Sequence, residues 1–409
     1  MKTNGRNGAT DMYAAVSDDI VEAMDRETAL ARGLPNEAFT TQGFLDLENR
    51  LVFSRSWVFA GPASDLPEPG HVKPVEVAGR SLIMTRNRDG EIRVFHNVCP
   101  HRGARLVTEE MSRTAVLTCP YHAWSYGLDG ALKARPHYHG SDKHDRGGGG
   151  DADGNDPVCL FAVRSATWHD WVFINLDGKA PSFEDYMAPV IKWFDCWDLT
   201  NFRLAYHDSF TFGCNWKLAV ENFCDTYHVF KVHPELHQVY VPETRSTAYP
   251  DGVHMLISNT LIGPYRLFSQ TPHDGLPSQP GLADNLTAAQ YAANLFPNTT
   301  MVISPGSLQF VMFEPVGADG CVMHMWYYFV GDAAAAPEHE TARQMVYADF
   351  AAINAEDEDI CQRLQQGRHC DAYDGGRLAP FWDDGTANFH RQIAAAIRGE
   401  GAFERRPEG

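Results

Sequence analysis

Two stretches of this sequence carry residue types that hold metals and handle electrons or oxygen. The first is Cys99-Pro100-His101-Arg102-Gly103, followed by Cys119-Pro120-Tyr121-His122-Ala123-Trp124: a C-x-H pair, then a C-x-x-H pair. Cys99, His101, Cys119 and His122 supply two thiols and two imidazoles from two short loops. That set holds either zinc or a [2Fe–2S] cluster with thiolates on one iron and imidazoles on the other. Zinc sites of this kind usually sit in small domains without a core, whereas this pair lies in a long, aromatic-rich chain. The second stretch, residues 215–234, reads NWKLAVENFCDTYHVFKVHP and places Glu221, Asp225, His228 and His233 within thirteen residues. Two His plus a carboxylate from elsewhere form the facial triad that holds non-haem Fe(II) and leaves positions open for dioxygen. A buried helix with hydrogen-bonded core histidines accounts for one His there, but less readily for two His, an Asp and a Glu.

The elements that must position these residues follow from the pattern around them. Short alternating runs at 71–78, 81–85 and 91–95 read as strands, the last delivering the first ligand loop. Residues 116–118 deliver the second loop, 126–130 give a further hairpin signal, and strands at 159–163 and 171–176 close a β-rich region. In the second stretch, Asp225 and His228 are three apart and share a helix face. His228 and His233 are five apart, so their rings converge only where the helix loosens, and Pro234 marks its end. Aromatic strands at 254–261, 300–303, 308–315 and 322–330 suggest an antiparallel sheet that this helix covers. Helices are expected at 17–33, from Thr40 onward, at 181–198, at 337–367 and at 387–398. Residues 137–157 are rich in Gly, Asp and His (His137, His139, His144). The glycine run makes them a flexible insertion rather than a metal site, because ordering four glycines is entropically expensive.

With both stretches in view, the chain resembles the terminal oxygenase (alpha) subunit of the Rieske non-haem iron oxygenases, the aromatic-ring-hydroxylating dioxygenase family. The resemblance runs from about Phe39 to the C-terminus. It implies an α+β fold: a β-rich Rieske [2Fe–2S] domain at 57–178, and a catalytic domain at 179–409 with an antiparallel sheet covered by helices, of helix-grip type. Residues 1–56 are expected to pack as helices on the catalytic domain. By resemblance Cys99, His101, Cys119 and His122 bind the cluster, while His228 and His233 ligate a mononuclear Fe(II). Ala104 and Tyr121 stand where respiratory Rieske proteins carry an extra disulfide pair, which argues against a respiratory role. The third iron ligand in this family precedes a Q-x-G element, and counting back from Gln365 and Gly367 gives Asp357, with Asp359 as the fallback. Ile353 and Ile360 flank Asp357 on an apolar helix face, whereas Asp359 points about 200° away. Asn222, Phe223 and Ile353 are expected to line the substrate pocket.

The resemblance further implies a head-to-tail homotrimer in which Asp225 bridges His122 of the partner subunit to His228 of its own chain. Electrons come from NAD(P)H through a separate reductase, with or without a ferredoxin, since no Gly-rich dinucleotide fingerprint follows a strand here. The reaction implied is hydroxylation of a small organic, aromatic substrate with O2. The alternative is removal of N- or O-methyl groups, for example from a quaternary ammonium compound. Demethylating relatives acting on such compounds often carry Glu at the Asp225 position, so Asp leans toward ring hydroxylation. A soluble Rieske electron carrier and a zinc-stabilised binding protein are the readings from other classes.

Composition bounds these expectations. At 409 residues, 44% hydrophobic and 11% aromatic, the chain is long enough for two domains with substantial cores. A formal charge of −19 argues against nucleic acid and anionic membrane surfaces as partners. The nine cysteines show no disulfide-framework spacing, and no apolar run has the length of a signal peptide or a membrane span. The expectation is a cytoplasmic protein.

Overall fold

The computed structural model describes residues 12–144, 158–241, 246–249, 252–262 and 275–400. The chain divides into two units. One comprises Phe53–Phe183, the other Met1–Val52 together with Glu184–Gly409.

The described residues of the unit at 53–183 form nine strands. They are β1 (Val58–Pro62), β2 (Val72–Val77), β3 (Arg80–Arg86), β4 (Ile92–His96), β5 (Val116–Thr118), β6 (Ser125–Gly127), β7 (Leu132–Ala134), β8 (Ala162–Trp168) and β9 (Trp171–Asn175). Six form one sheet in the order β1-β9-β8-β4-β3-β2, and the other three form a small sheet, β5-β6-β7. Alternation in β3 and β4 sends Ile83 and Phe95 into a core that also holds Leu117, Trp124, Tyr126 and both Cys99 and Cys119. The two cysteines are therefore anchored on the packed side of their loops. Residues 145–157 of the glycine-rich insertion lie outside the described residues; His137 and His144, within them, have their rings 4.6 Å apart and are exposed.

The other unit opens with α1 (Asp18–Met24), α2 (Glu37–Thr40) and α3 (Gln42–Glu48). The first helix is shorter than the pattern to Gly33 suggests, ending at Asp25. After α4 (Phe183–Phe194) come β10 (Phe202–Phe212), α5 (Trp216–Cys224), α6 (Val229–Val232) and α7 (Pro234–His237). Then follow β11 (Ser246–Ala248), β12 (Met255–Thr260), β13 (Ala289–Leu295), β14 (Thr299–Ile303), β15 (Ser307–Pro315), β16 (Cys321–Val330), α8 (Glu340–Arg368) and α9 (Asp384–Arg398). Strands β10 to β16 make one antiparallel sheet, β10-β16-β15-β14-β13-β12-β11. Helices α5 and α8 pack on one another and on this sheet. No helix among the described residues is long and apolar enough to cross a membrane.

Buried polar contacts fix α5 in place. Asn215 caps its N-terminus, accepting from the Lys217 amide at 3.1 Å, and its own N–H donates to Gln365 Oε1 on α8 at 2.9 Å. Trp216 Nε1 donates to Glu48 Oε2 of α3 at 3.0 Å, and Lys217 Nζ lies 2.7 Å from Glu48 Oε1, both partners fully buried. Glu221 meets His390 Nε2 of α9 at 2.7 Å and Arg368 of α8 at 3.6 Å. His390 Nδ1 lies 3.1 Å from the Leu34 amide nitrogen. The N-terminal segment and both C-terminal helices thus brace the helix that leads to the two histidines.

Candidate active site

The helix does not continue through residues 215–234. It stops at Asp225, whose backbone is extended (φ −84°, ψ 122°), and resumes as α6 after His228. The cause is local chemistry: Asp225 Oδ1 accepts the Tyr227 amide, an Asx-type turn that competes with the helical ladder. Asp225 Oδ2 meets His228 Nδ1 at 3.2 Å, so the expected pairing exists, made by a turn instead of a helix face. His233 occupies the junction between α6 and α7 with φ −120° and ψ 64°, which turns its ring toward that of His228, 5.2 Å away.

Both imidazoles aim their Nε2 atoms at one carboxylate. Asp357 Oδ1 lies 2.8 Å from His233 Nε2 and 3.6 Å from His228 Nε2. The Nδ1 atoms are taken by other acids, Asp225 on His228 and Glu356 on His233 at 2.7 Å. This is the arrangement in which a second carboxylate fixes each ring and leaves its far nitrogen for a metal. His228, His233 and Asp357 are the group whose ligand atoms all lie within 4.8 Å of one another among the described residues. Asn222 Nδ2 also donates to Asp357 Oδ1, at 2.6 Å. Burial alone lowers the pKa of His233, but Asp357 and Glu356 outweigh it and hold the ring above its ordinary value. The site favours positive charge at this point, and a divalent cation supplies it as a proton does. Asp359 is not part of the group; it pairs with Arg363 at 2.9 Å on the exposed face of α8.

The three side chains stand at one side of a cavity of about 180 Å³. For scale, an apolar cavity of about 150 Å³ holds benzene. Its floor is one face of the large sheet, reached by the alternation of Gln309, Val311 and Phe313 on β15 and of Met323 and Met325 on β16. Asn222, Phe223 and Ile353 line it, as do Asn354, Gln290 and Tyr240. Glu356, Asn354 and Gln309 carry no sequence signal of their own: Glu356 belongs to an acidic run that reads as a solvated face, and the amides become conspicuous only once the sheet is assembled.

In the β-rich unit the two cysteine loops have the same backbone design. The Cys99 amide donates to the carbonyl five residues on, Ala104, at 2.8 Å; the Cys119 amide does the same to Trp124 at 2.8 Å. Each cysteine carbonyl accepts the amide four residues on, from Gly103 at 2.9 Å and from Ala123 at 3.0 Å. Both closing residues are left-handed, Gly103 at φ 75° and Ala123 at φ 57°. The loops hold the thiols inward, while the exposed rings of His101 and His122 lie 4.7 Å apart. Trp124 stacks on His101 with an interplanar angle of 2°. Tyr126 Oη lies 3.3 Å from Cys99 Sγ, and burial first, then the thiol, push its pKa up, so the hydroxyl stays a donor. Two buried sulfurs and two surface imidazoles fit a [2Fe–2S] cluster with its histidine-bound iron outward.

Family signatures match both halves: "Rieske [2Fe-2S] domain" over residues 56–144 and "Ring hydroxylating alpha subunit (catalytic domain)" over 199–399. The chain belongs to the Rieske non-haem iron oxygenases. Its two matched parts are a Rieske domain, the kind that carries a [2Fe–2S] cluster, and a catalytic domain of the ring-hydroxylating alpha-subunit type. It is 32% identical over 228 residues to the glycine betaine monooxygenase oxygenase subunit of Chromohalobacter salexigens, a match covering 56% of this chain and 49% of that one. The chain thus matches about half the length of that relative. It is 26% identical to the carnitine monooxygenase oxygenase subunit of Escherichia coli K12, over 89% of this chain and 94% of that one. Among solved structures, a quaternary ammonium Rieske monooxygenase in complex with L-carnitine superposes with a TM-score of 0.72 at 21% identity, covering 92% and 98% of the two chains. Naphthalene 1,2-dioxygenase with indole bound gives 0.67 at 19%, covering 93% and 96%. These likenesses show the same α+β fold.

Proposed function

We propose that this chain hydroxylates a small, uncharged organic substrate, with an aromatic ring as the best fit, using O2 and electrons from NAD(P)H passed on by a separate reductase. One observation carries the reading: His228, His233 and Asp357 converge at the wall of a largely apolar cavity of single-ring scale. His228, His233 and Asp357 are the iron ligands in this reading, and Cys99, His101, Cys119 and His122 hold the cluster. When bound, the cluster supplies single electrons and the iron supplies the site of oxygen activation.

What the chain's own residues contribute follows from their contacts. Asp225 and Glu356 fix the two imidazole rings, and Asn222 holds the Asp357 oxygen that faces them. Phe223, Ile353 and the sheet face exclude water and orient the substrate. Asp225 also bridges to His122 of the partner subunit in a homotrimer, the route by which electrons cross between chains. Localisation in the cytoplasm, where the reductase and NAD(P)H are found, belongs to the same reading.

A second reading is N-demethylation of a quaternary ammonium compound, supported by the names of the glycine betaine and carnitine relatives. Against it, betaine- and carnitine-like molecules carry a carboxylate, and no Lys or Arg occurs among the described residues lining the cavity. The test is metal analysis followed by product analysis. The purified chain should hold about three irons and two acid-labile sulfides, and with NADH and a broad-range reductase should convert arenes to hydroxylated products using O2. Stoichiometric zinc without sulfide overturns the whole reading. Formaldehyde released from carnitine or betaine, with arenes untouched, moves it to the second.

A further inference from the structure

Arg135 is 5% exposed, and arginine is seldom buried so deeply. It directly follows β7, whose Ala134 pairs with Ser125 of β6. Antiparallel pairing brings the residue after Ala134 beside the residue before Ser125, which is Trp124. The Arg135 guanidinium lies 5.4 Å from the centre of the Trp124 ring and 3.9 Å from that of Tyr138. Both distances are within the reach of a cation–π contact. Trp124 in turn stacks on His101, with ring centroids 4.4 Å apart. A buried charge, an indole and a candidate cluster ligand thus follow one another in one chain of contacts.

The same charge is felt on the sulfur side. Tyr126 Oη lies 3.3 Å from Cys99 Sγ. Burial first, then the Cys99 and Cys119 thiols, push the pKa of that hydroxyl up, and Arg135 acts the other way. The positive field of Arg135 therefore reaches the atom that touches Cys99 as well as the ring that stacks on His101. Packing against two aromatic rings would be served by a neutral side chain at lower desolvation cost. What a buried cation adds is range. Salt screens exposed charges beyond a Debye length of about 10 Å, but buried charges much less.

We propose that Arg135 sets the reduction potential of the Rieske centre: its buried positive charge stabilises the reduced cluster and so raises the potential. The assignment rests on reading Cys99, His101, Cys119 and His122 as the cluster ligands. One electron leaves the reductase and enters the cluster, which becomes more negative by one unit while no bond forms or breaks. A fixed cation nearby lowers the energy of that added charge, and local charge is among the determinants of a cluster's potential. Arg135 thereby makes the cluster easier for the reductase to fill.

The test is a redox titration of the protein with both centres loaded, near neutral pH, following the cluster's visible absorbance and its reduced-state EPR signal. Arg135→Gln and Arg135→Met should each lower the potential. At a fixed ambient potential the reduced-to-oxidised ratio should fall about tenfold, which is about 59 mV for a one-electron couple. Iron and sulfide contents should match the parent's. Arg135→Lys keeps the charge and loses the planar stack, so its ratio should stay within about twofold of the parent's. Because a buried charge is screened little, the fall in the neutral variants should be the same in low and high salt. An unchanged potential in both neutral variants overturns the proposal. So does an Arg135→Lys potential as low as theirs, a fall that vanishes in high salt, or loss of the cluster from both neutral variants, since each makes Arg135 a packing or surface residue. A parent protein with stoichiometric zinc and no sulfide is a different failure: it sinks the cluster reading and, with it, the assignment that rests on it.

Discussion

His233 sits between two consecutive acids of α8. Its Nε2 lies 2.8 Å from Asp357 Oδ1 and its Nδ1 lies 2.7 Å from Glu356 Oε2. Consecutive helix positions diverge by about 100°, so two neighbouring carboxylates reach one ring only when that ring lies against the helix side between them. His233 is 1% exposed and takes that place because the break at Asp225 and the α6–α7 junction carry it there. One acid faces the space shared with His228 and the other faces away from it. The two adjacent residues therefore have separate places, one facing both imidazole Nε2 atoms and one behind the His233 ring.

Asp357→Ala should leave the cluster's visible absorbance intact while about one iron per chain and all product formation are lost, because two imidazoles alone hold Fe(II) weakly. Asp359→Ala should change neither, since that carboxylate pairs with Arg363 on the exposed face. Iron and sulfide assays on the two variants, with turnover, decide it. The opposite pattern would mean that the wrong acid has been named.

Glu356→Gln keeps an acceptor for His233 Nδ1–H but removes the charge that raises the ring's basicity. The expected result is weaker iron retention, by about 10- to 100-fold in apparent affinity, with the cluster unchanged. Titrating Fe(II) into iron-stripped protein and following turnover as it is restored measures this. Restoration at the parent's Fe(II) concentration would leave Glu356 no role at the metal.

What the sequence shows and hides about this site can be traced to particular residues. Cys99, His101, Cys119 and His122, like His228 and His233, stand out because their types and spacing are rare outside metal sites. The paired loop closures are half visible, since Gly103 announces a left-handed residue and Ala123 does not. The interruption at Asp225 is marked by no Gly or Pro, and only the Asx turn to Tyr227 reveals it. Strand β13, AQYAANL, was not expected, because Ala, Gln and Asn have little strand propensity; its place in mid-sheet comes from neighbours on both sides.

Glu221 offers a pH-dependent test of the brace behind the site. Burial alone raises the pKa of its carboxyl, but His390, then Arg368 and Lys217, outweigh it and hold the group below the usual Glu range. A carboxyl depressed by folding adds stability above its unfolded value, near pH 4.3, and that stability is lost as pH falls through the folded value. Glu221→Gln should therefore cost roughly 3 kcal/mol at pH 7, where a buried partner is removed from His390 and Arg368. The gap between variant and parent should narrow on acidification below about pH 4. Urea midpoints across that range check the sign, and a gap that widens toward acid contradicts it.

Asp225→Asn separates electron transfer from metal binding. The substitution keeps the side chain's shape but removes its charge and one acceptor, so it no longer receives an N–H from both His228 and an imidazole of the partner subunit. Its Oδ1 still accepts the Tyr227 amide, so the turn that ends α5 should persist. Both centres should load, because Asp225 is a ligand in neither, and an external donor should reduce the cluster at the parent's rate. Passage of the electron to the iron should slow by orders of magnitude, giving a protein that is metallated, reducible and nearly inactive. Single-turnover kinetics on the pre-reduced enzyme measure that step directly. Because the proposed route crosses between chains, co-expressing His122→Ala, designed to lack the cluster, with His228→Ala, designed to lack the iron, should restore part of the activity in mixed trimers. Mixed trimers that form and stay inactive exclude the inter-subunit route, and an Asp225→Asn enzyme with normal turnover removes Asp225 from it.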